Sequence, residues 1–565
     1  MKIQLPIICL FSTIIISVSV SAQLSGNYTI NSAFATGGTN FQTFNDLAAS
    51  LNTTGVAGHV IATVVPGSGP YTEQVTFSNI PGAGAGATIT LEGSGETITA
   101  LTDSADRHVV RLEHSIYFTI NNLHVKRDSA ATSGFYGIHI YDSGDHITIS
   151  NCSVDMSGSS STLIGGYIAS GSFTSILDSG EFHFINIIND TAVGGGYGAS
   201  VCGKPASLAT DIVISGNTFY DWHSNGIYLK ETNGAIISHN YLNKRTSIVT
   251  SCNAIQLAQN LNVGASIFNN YITVHQTSNG TMLIRGIYLF NGSFHDVYNN
   301  IINDIRLLSG DFTGIEIRTP GTNPHIYFNT ISLENSGITS GNLYGITEEL
   351  SNTNSILRNN IVSITQPTTA EKVGLVLGSN STLTTAFNSD YNWFWVPNGS
   401  VAKKNSSSPV YYTLLSNWQA AGMQDSNSFM ADPQFFSPDL AQPTNMNGDN
   451  LGTPIAGITT DFAGNLRGNT PDIGAYEFPA PDGIAEVAKT NIVVYPNPFT
   501  SELNLKLETS VDTKFILYNL ISGVQAVIPI SGQATINTSL LPAGLYFYEV
   551  RGEEKIFAKG KLIKQ

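Results

Sequence analysis

The residues with the most chemical potential in this sequence are Lys230, Glu316 and Arg318, with Tyr228, Tyr288, Phe290 and Glu349 beside them. All lie in short units of Gly, apolar, variable, apolar, variable: GIYLK from Gly226, GIYLF from Gly286, GIEIR from Gly314 and GITEE from Gly345. In an extended chain the first and third residues after the Gly face one way, the second and fourth the other. Stacked units therefore present a second-position column of His139, Tyr228, Gln256, Tyr288, Glu316, Thr347 and Val376. The fourth-position column reads Tyr141, Lys230, Ala258, Phe290, Arg318, Glu349 and Gly378.

Strands in a stack lie roughly 4.8 Å apart, and alternate residues along a strand roughly 6.8 Å apart. Tyr228, Lys230, Tyr288, Phe290, Glu316 and Arg318 would then share a shallow groove suited to an extended sugar chain. Aromatic rings stack on pyranose faces while charges address carboxylate or hydroxyl groups. Elimination from a uronic acid needs a base at the C5 proton and a cation on the carboxylate, roles open to Lys230 or Tyr228 with Arg318. Hydrolysis needs two carboxylates about 5 to 9 Å apart, for which Glu316 and Glu349 are the pair. The bland reading is equally physical: outward Glu and Arg form solvated cross-strand pairs, and outward Tyr is ordinary β-surface.

The elements that position these residues are repeats. An Asn recurs at 122, 151, 186, 217, 240, 270, 300, 329 and 360, with spacings of 29, 35, 31, 23, 30, 30, 29 and 31 residues. A period near 30 with alternating triplets inside it means a solenoid of strands, each unit too small to bury its apolar face alone. The reading is all-β: a right-handed parallel β-helix of about a dozen coils, with an internal Asn ladder and Gly supplying positive φ or close approach at the corners. Hairpin signals that would favour a propeller or sandwich are scarce in this part.

The 565 residues carry only 12% charged side chains, 54 Gly and a net charge of −16. That balance disfavours nucleic acid or an anionic membrane as partner. Residues 1–22 read as a secretory signal peptide, with Lys2, an apolar run and Val20-Ser21-Ala22. Cys152, Cys202 and Cys252 then remain, an odd number near strands, best read as small buried apolar groups whose pairing stays open. His139, His183, His223, His239 and His295 fall at scattered unit positions, suiting surface or turn roles rather than a metal cluster. Phosphate loops, His-Glu-x-x-His and Gly-x-Ser-x-Gly are absent from the sequence.

Residues 23–100 read as an N-terminal cap and first coils, with Phe41, Phe44, Leu47, Ala48 and Leu51 at helical spacing. The run YTEQVTFSNIPGAGAGATITLEG (71–93) resembles the opening coils of secreted β-helix proteins of the pectin-esterase and polysaccharide-lyase type. Repeats span 101–389 and closing coils 390–478. In the closing part, Trp418, Asp432-Pro433-Gln434-Phe435 and the stretch Pro471 to Glu477 resemble segments that seal the C-terminal end of such solenoids. Asp461 and Asn465 offer oxygen ligands for calcium, the one cofactor the sequence suggests.

A linker (479–490) leads to a small β-sandwich, residues 491–565. Tyr495-Pro496-Asn497-Pro498-Phe499, Gly544-Leu545-Tyr546 and Lys559-Gly560-Lys561 closely resemble the type A C-terminal sorting domain of type IX secretion. The resemblance implies the secretion machinery as partner, then release or attachment to surface lipopolysaccharide. The expectation is a monomeric, secreted or surface-held solenoid that interacts with polysaccharide: a lyase before a hydrolase, or a binding protein or adhesin without turnover. An ice-binding solenoid is disfavoured, because the outward columns lack a Thr-x-Thr array.

Overall fold

The structure is a computed structural model, described for residues 22–131, 134–159, 161–246, 251–258, 262–277, 282–318, 323–348, 354–378, 387–422, 424–436, 441–478, 492–507, 513–519, 523–530, 532–551 and 556–565. The signal-peptide reading of residues 1–22, apart from Ala22, and the linker lie outside these residues, as does Glu349. Among the described residues no helix is long and apolar enough to cross a membrane.

Contacts divide the chain into a unit ending at Phe478 and a second unit from Pro479 to Gln565. The first is a parallel β-solenoid of about 12 turns. Among the described residues its strands form one ladder of 26 and one of 13. The larger ladder bends into two faces, because His108–Asn121 and Phe135–Ser150 each run around the corner between them. Alternation buries Ile227, Ile255, Ile287, Ile315, Ile346 and Leu375 inward, one per coil, in the long core that runs through the solenoid.

An interior ladder of amides ties the coils. Asn217, Asn240, Asn270, Asn300, Asn329, Asn360 and Asn392 are buried, and each Nδ2 down to Asn360 donates to the next Oδ1 at 2.9–3.0 Å. Each backbone N–H in that run donates to the same oxygen, and Nδ2 also reaches a carbonyl on the other side, as Asn300 does with Ile267. This corrects the start of the predicted series. Asn122 and Asn151 sit one residue early, in left-handed turn positions at φ 52° and 54°, and Asn186 lies in a strand. Cys152 and Asp190 hold the ladder positions instead, linked by Cys152 N–H to Asp190 Oδ1 at 2.6 Å and Asp190 N–H to Asn217 Oδ1 at 2.8 Å.

The corner glycines are needed for close approach. Gly226, Gly286, Gly314, Gly345 and Gly374 are outside the left-handed region, yet a Cβ on any of them would sit 2.5–2.8 Å from a carbonyl oxygen of the next coil.

Both ends are closed. Helix α1 (Phe44–Thr54), capped by the Thr43 hydroxyl accepting the Asp46 N–H, buries Phe44, Leu47, Ala48 and Leu51 over the first coil. At the far end α2 (Leu415–Gly422) buries Trp418, whose Nε1 donates to buried Asp425. The stretch Pro471 to Glu477 does not seal that end, contrary to expectation. It lies along the flank of the 13-strand face: Gly474 N–H donates to Asn359 O, Ala475 N–H to Thr330 Oγ1, and Arg467 stacks on Phe328 and bonds Asn299. It thereby covers Ile301, Ile361 and Trp393, apolar side chains that a bare solenoid would expose.

The second unit has a three-strand and a four-strand antiparallel sheet around Phe499, Leu503, Phe515, Leu517, Tyr546, Val550 and Leu562. Its motif residues have evident tasks. Asn497 clamps the last strand through Lys561 O and Ile563 N–H, and the Tyr546 hydroxyl donates to Pro542 O.

Candidate functional site

The predicted second-position column is real. Tyr228, Gln256, Tyr288, Glu316, Thr347, Val376 and Lys403 are register partners on seven successive coils. Its two ends differ in character.

At the Tyr228 end the column is roofed. Residues Gly171 to Gly180 cross over it, and Ile176 packs with Tyr136, Ile168, Tyr197, Cys202 and Tyr228. Phe173 stacks on Tyr141 at 4.1 Å, with the Arg111 guanidinium 4.5 Å from its ring. Lys230 fastens this strap, its Nζ donating to Leu177 O at 3.1 Å and Ser179 Oγ at 3.2 Å. Tyr228, only 6% exposed, has no open ring face for a sugar, and burial pushes its hydroxyl pKa up. Lys230 stands three coil steps, about 14 Å, from Glu316 and Arg318, so it cannot act with them on one sugar ring. His139, inside a strand, is buried against Ser170 Oγ at 3.0 Å and so has neither the surface nor the turn role expected, whereas His295 does sit at a coil corner, buried, with its Nδ1 accepting the Ala265 N–H; burial drops their pKa values to about 3 and about 4.

At the other end the column opens into a recess of about 200 Å³ lined by Asp311, Thr313, Glu316, Tyr344, Thr347 and Lys403. Glu316 lies on its floor, and its Oε2 accepts from Arg285 Nε at 2.6 Å. That guanidinium sits 4.2 Å from the Tyr288 ring and reaches Asn253 Oδ1. Tyr288 is buried beneath it, with Arg318 hydrogen-bonded to it, and Phe290 is half-buried alongside at 5.6 Å. Across the recess Lys403 Nζ bridges both oxygens of Glu371 at 2.8 and 3.0 Å, and the Tyr344 hydroxyl donates to the same carboxylate at 2.8 Å. Burial pushes the Glu371 carboxyl up, but the Lys403 and Tyr344 hydrogen bonds outweigh it and hold it below the ordinary value. Burial and the neighbouring carboxylate both raise the Tyr344 hydroxyl, so it stays protonated. Beyond Glu371 a second hollow of about 590 Å³ opens between Lys372, Val396, Ser400, Tyr411 and Met430.

Three of these residues, Arg285, Tyr344 and Glu371, precede their coil's Gly and escape a reading that counts only forward from it. The signal was available: Asn225, Asn253, Arg285, Thr313 and Tyr344 form a second register column. The tight corner lets residues on both sides of the Gly reach the same recess.

Among the described residues no group of three His, Cys, Asp or Glu side chains could hold a metal ion. Asp461 is not available to calcium: its carboxylate accepts from the N–H groups of Ala463, Asn465 and Glu477 and from Asn465 Nδ2. Cys152, Cys202 and Cys252 are free buried thiols, with burial raising the last two to about 12 and about 11.

Comparison with solved structures finds β-helix proteins at low similarity. The periplasmic alginate epimerase AlgG has a TM-score of 0.39 and 13% identity over 66% of this chain and 77% of that one. PfbA, a surface adhesin of Streptococcus pneumoniae, has a TM-score of 0.37 and 12% identity over 65% and 89%. A lacto-N-biosidase from Eubacterium ramulus has a TM-score of 0.31 and 10% identity over 62% and 67%. A search of curated proteins returned no match. Residues 493–565 match the family described as the secretion system C-terminal sorting domain. The chain therefore carries a type IX sorting domain behind a parallel β-solenoid and is a secreted or outer-surface-attached protein.

Proposed function

We propose that this protein binds a neutral glycan in the recess between Glu316 and Lys403 and does not cleave it. The observation that carries this reading is how the charges there are spent. Arg285 is committed to Glu316, and Lys403 to Glu371 with Tyr344 as a third partner. A uronate seated in the recess itself would have to break one of these pairs to be neutralised, in a chain already at −16. A sugar hydroxyl can instead accept from and donate to the edges of both pairs without disturbing them.

The same arrangement weighs against turnover. Elimination wants a tyrosine or lysine poised to lose a proton, and Tyr344 is pushed the opposite way. The volume, smaller than the roughly 300–1,000 Å³ of drug-sized pockets, suits a single sugar ring, with the chain continuing into the hollow at Tyr411. Replacing Lys403 by Met should weaken binding of a neutral oligosaccharide about tenfold, some 1.4 kcal/mol, and also lower the melting temperature, because Glu371 loses its partner. Calorimetric titration with cellohexaose, xylohexaose and mannohexaose tests this. Unaltered affinity for a hexasaccharide that binds the parent would remove the recess from the account.

A further inference from the structure

On the second face of the larger ladder, one turn position repeats in each coil just before the buried Phe118, Ile147, Ile185 and Ile212. It is left-handed: Tyr117, His146, Phe184 and Asp211 have φ between 51° and 57°, and later coils place Gly234, Gly264, Phe294 and Asn323 at the equivalent position, Phe294 standing alone without a stacked partner from its neighbouring coils. Gly, Asn, Asp and His are the residues that adopt this conformation most readily, and bulky side chains such as Phe and Tyr are the costly ones.

Three consecutive coils nevertheless carry aromatic rings there, stacked on one another. Tyr117 and His146 lie 4.2 Å apart at 15°, His146 and Phe184 4.3 Å apart at 25°. The stack is at the surface: Phe184 is 42% exposed, and Ile116, the residue before Tyr117 two coils away, 38%. Strained residues held at a surface, rather than in a core, mark places where function outweighs stability.

The polar surroundings fit a sugar. Asp145 Oδ1 holds His146 Nδ1 at 2.7 Å, Asp211 is exposed on the coil after Phe184, and the His183 ring nitrogen bonds Thr210 Oγ1 at 3.0 Å. Carboxylates beside an exposed ring accept from vicinal hydroxyls and repel anionic chains.

We infer that the Tyr117–His146–Phe184 stack is a second contact for a neutral glycan, with a pyranose ring on Phe184 and its hydroxyls on Asp211. This extends the proposed glycan-binding function to a surface the recess does not include, so the two can fail separately. The test is affinity electrophoresis of the full chain through gels containing β-glucan, xylan or galactomannan, with alginate as the anionic control. The decisive variant is Phe184→Asn, which puts the residue found at Asn323 into the same backbone position.

The expected result is at least a tenfold loss of retardation in a neutral gel with an unchanged or higher melting temperature, since strain is relieved. A structural stack would give the reverse, a lower melting temperature with retardation intact, and would overturn the inference. Loss of retardation in Lys403→Met but not in Phe184→Asn would leave the recess standing and reject the stack. Loss in Phe184→Asn alone would support the stack and reject the recess. No retardation of the parent chain in any neutral gel would reject both.

Discussion

Asp190 occupies a place in the interior ladder where seven later coils use Asn. An amide presents a donor and an acceptor there, whereas a carboxylate presents acceptors only. The Oδ2 atom of Asp190 is buried without a hydrogen-bond partner, and burial pushes its pKa up to about 8. The protonated form is therefore favoured in the folded chain. Its stabilisation is fully present below the ordinary carboxylate pKa and is lost as pH rises through about 8, a cost on the order of 5–6 kcal/mol. His139 acts oppositely: with its folded pKa near 3, stability is complete above about 6.5 and falls as pH drops toward 3. Asp190→Asn should raise the melting temperature at pH 9 by more than at pH 5, as read by thermal unfolding at both values. Equal gains would mean Asp190 is ionised in the fold.

At the scale of elements, the glycine corners set how closely coils approach. A Cβ at Gly314 would meet Gly345 O at 2.7 Å and Ile331 Cγ2 at 2.9 Å, so Gly314→Ala should cost about 1–3 kcal/mol in denaturant unfolding. No change in midpoint would show that the coils part freely. The repeat was legible in sequence because every coil repeats the same demands: an inward apolar pair, a small corner residue, an amide facing the core. Apart from the residues just before the corner glycines, what escaped was set by segments that belong to no repeat. The strap from Gly171 to Gly180 hides Tyr228 and occupies Lys230, and nothing in the local alternation of GIYLK signals a roof. The flank segment ending in Pro471 to Glu477 likewise runs alongside the coils instead of over their end, because Ile301, Ile361 and Trp393 form an outward apolar stripe that must be covered.

For the whole molecule, the division of labour is between a solenoid that presents surface and a sorting unit that sets destination. A stack of parallel strands offers long, regular faces, and here two of them carry polar and aromatic groups. The sorting motif was readable at once, because Asn497, Phe499 and Tyr546 each fix a turn or strand that only that small sandwich needs. The recess was half readable: Glu316 and Thr347 follow from the period, while Arg285, Tyr344, Glu371 and Lys403 depend on corner geometry and on a last coil that lacks the Gly unit.

The most direct measurement incubates the full chain with neutral and uronic polysaccharides while following gel retardation, reducing ends and ultraviolet absorbance of unsaturated products in parallel. The expected result is retardation by at least one neutral polysaccharide, none by alginate, and no rise in reducing ends or absorbance over a day. A rise in absorbance with alginate or pectate would contradict it, since a uronate would then have displaced one of the ion pairs and Tyr344 or a neighbour would be acting as a base.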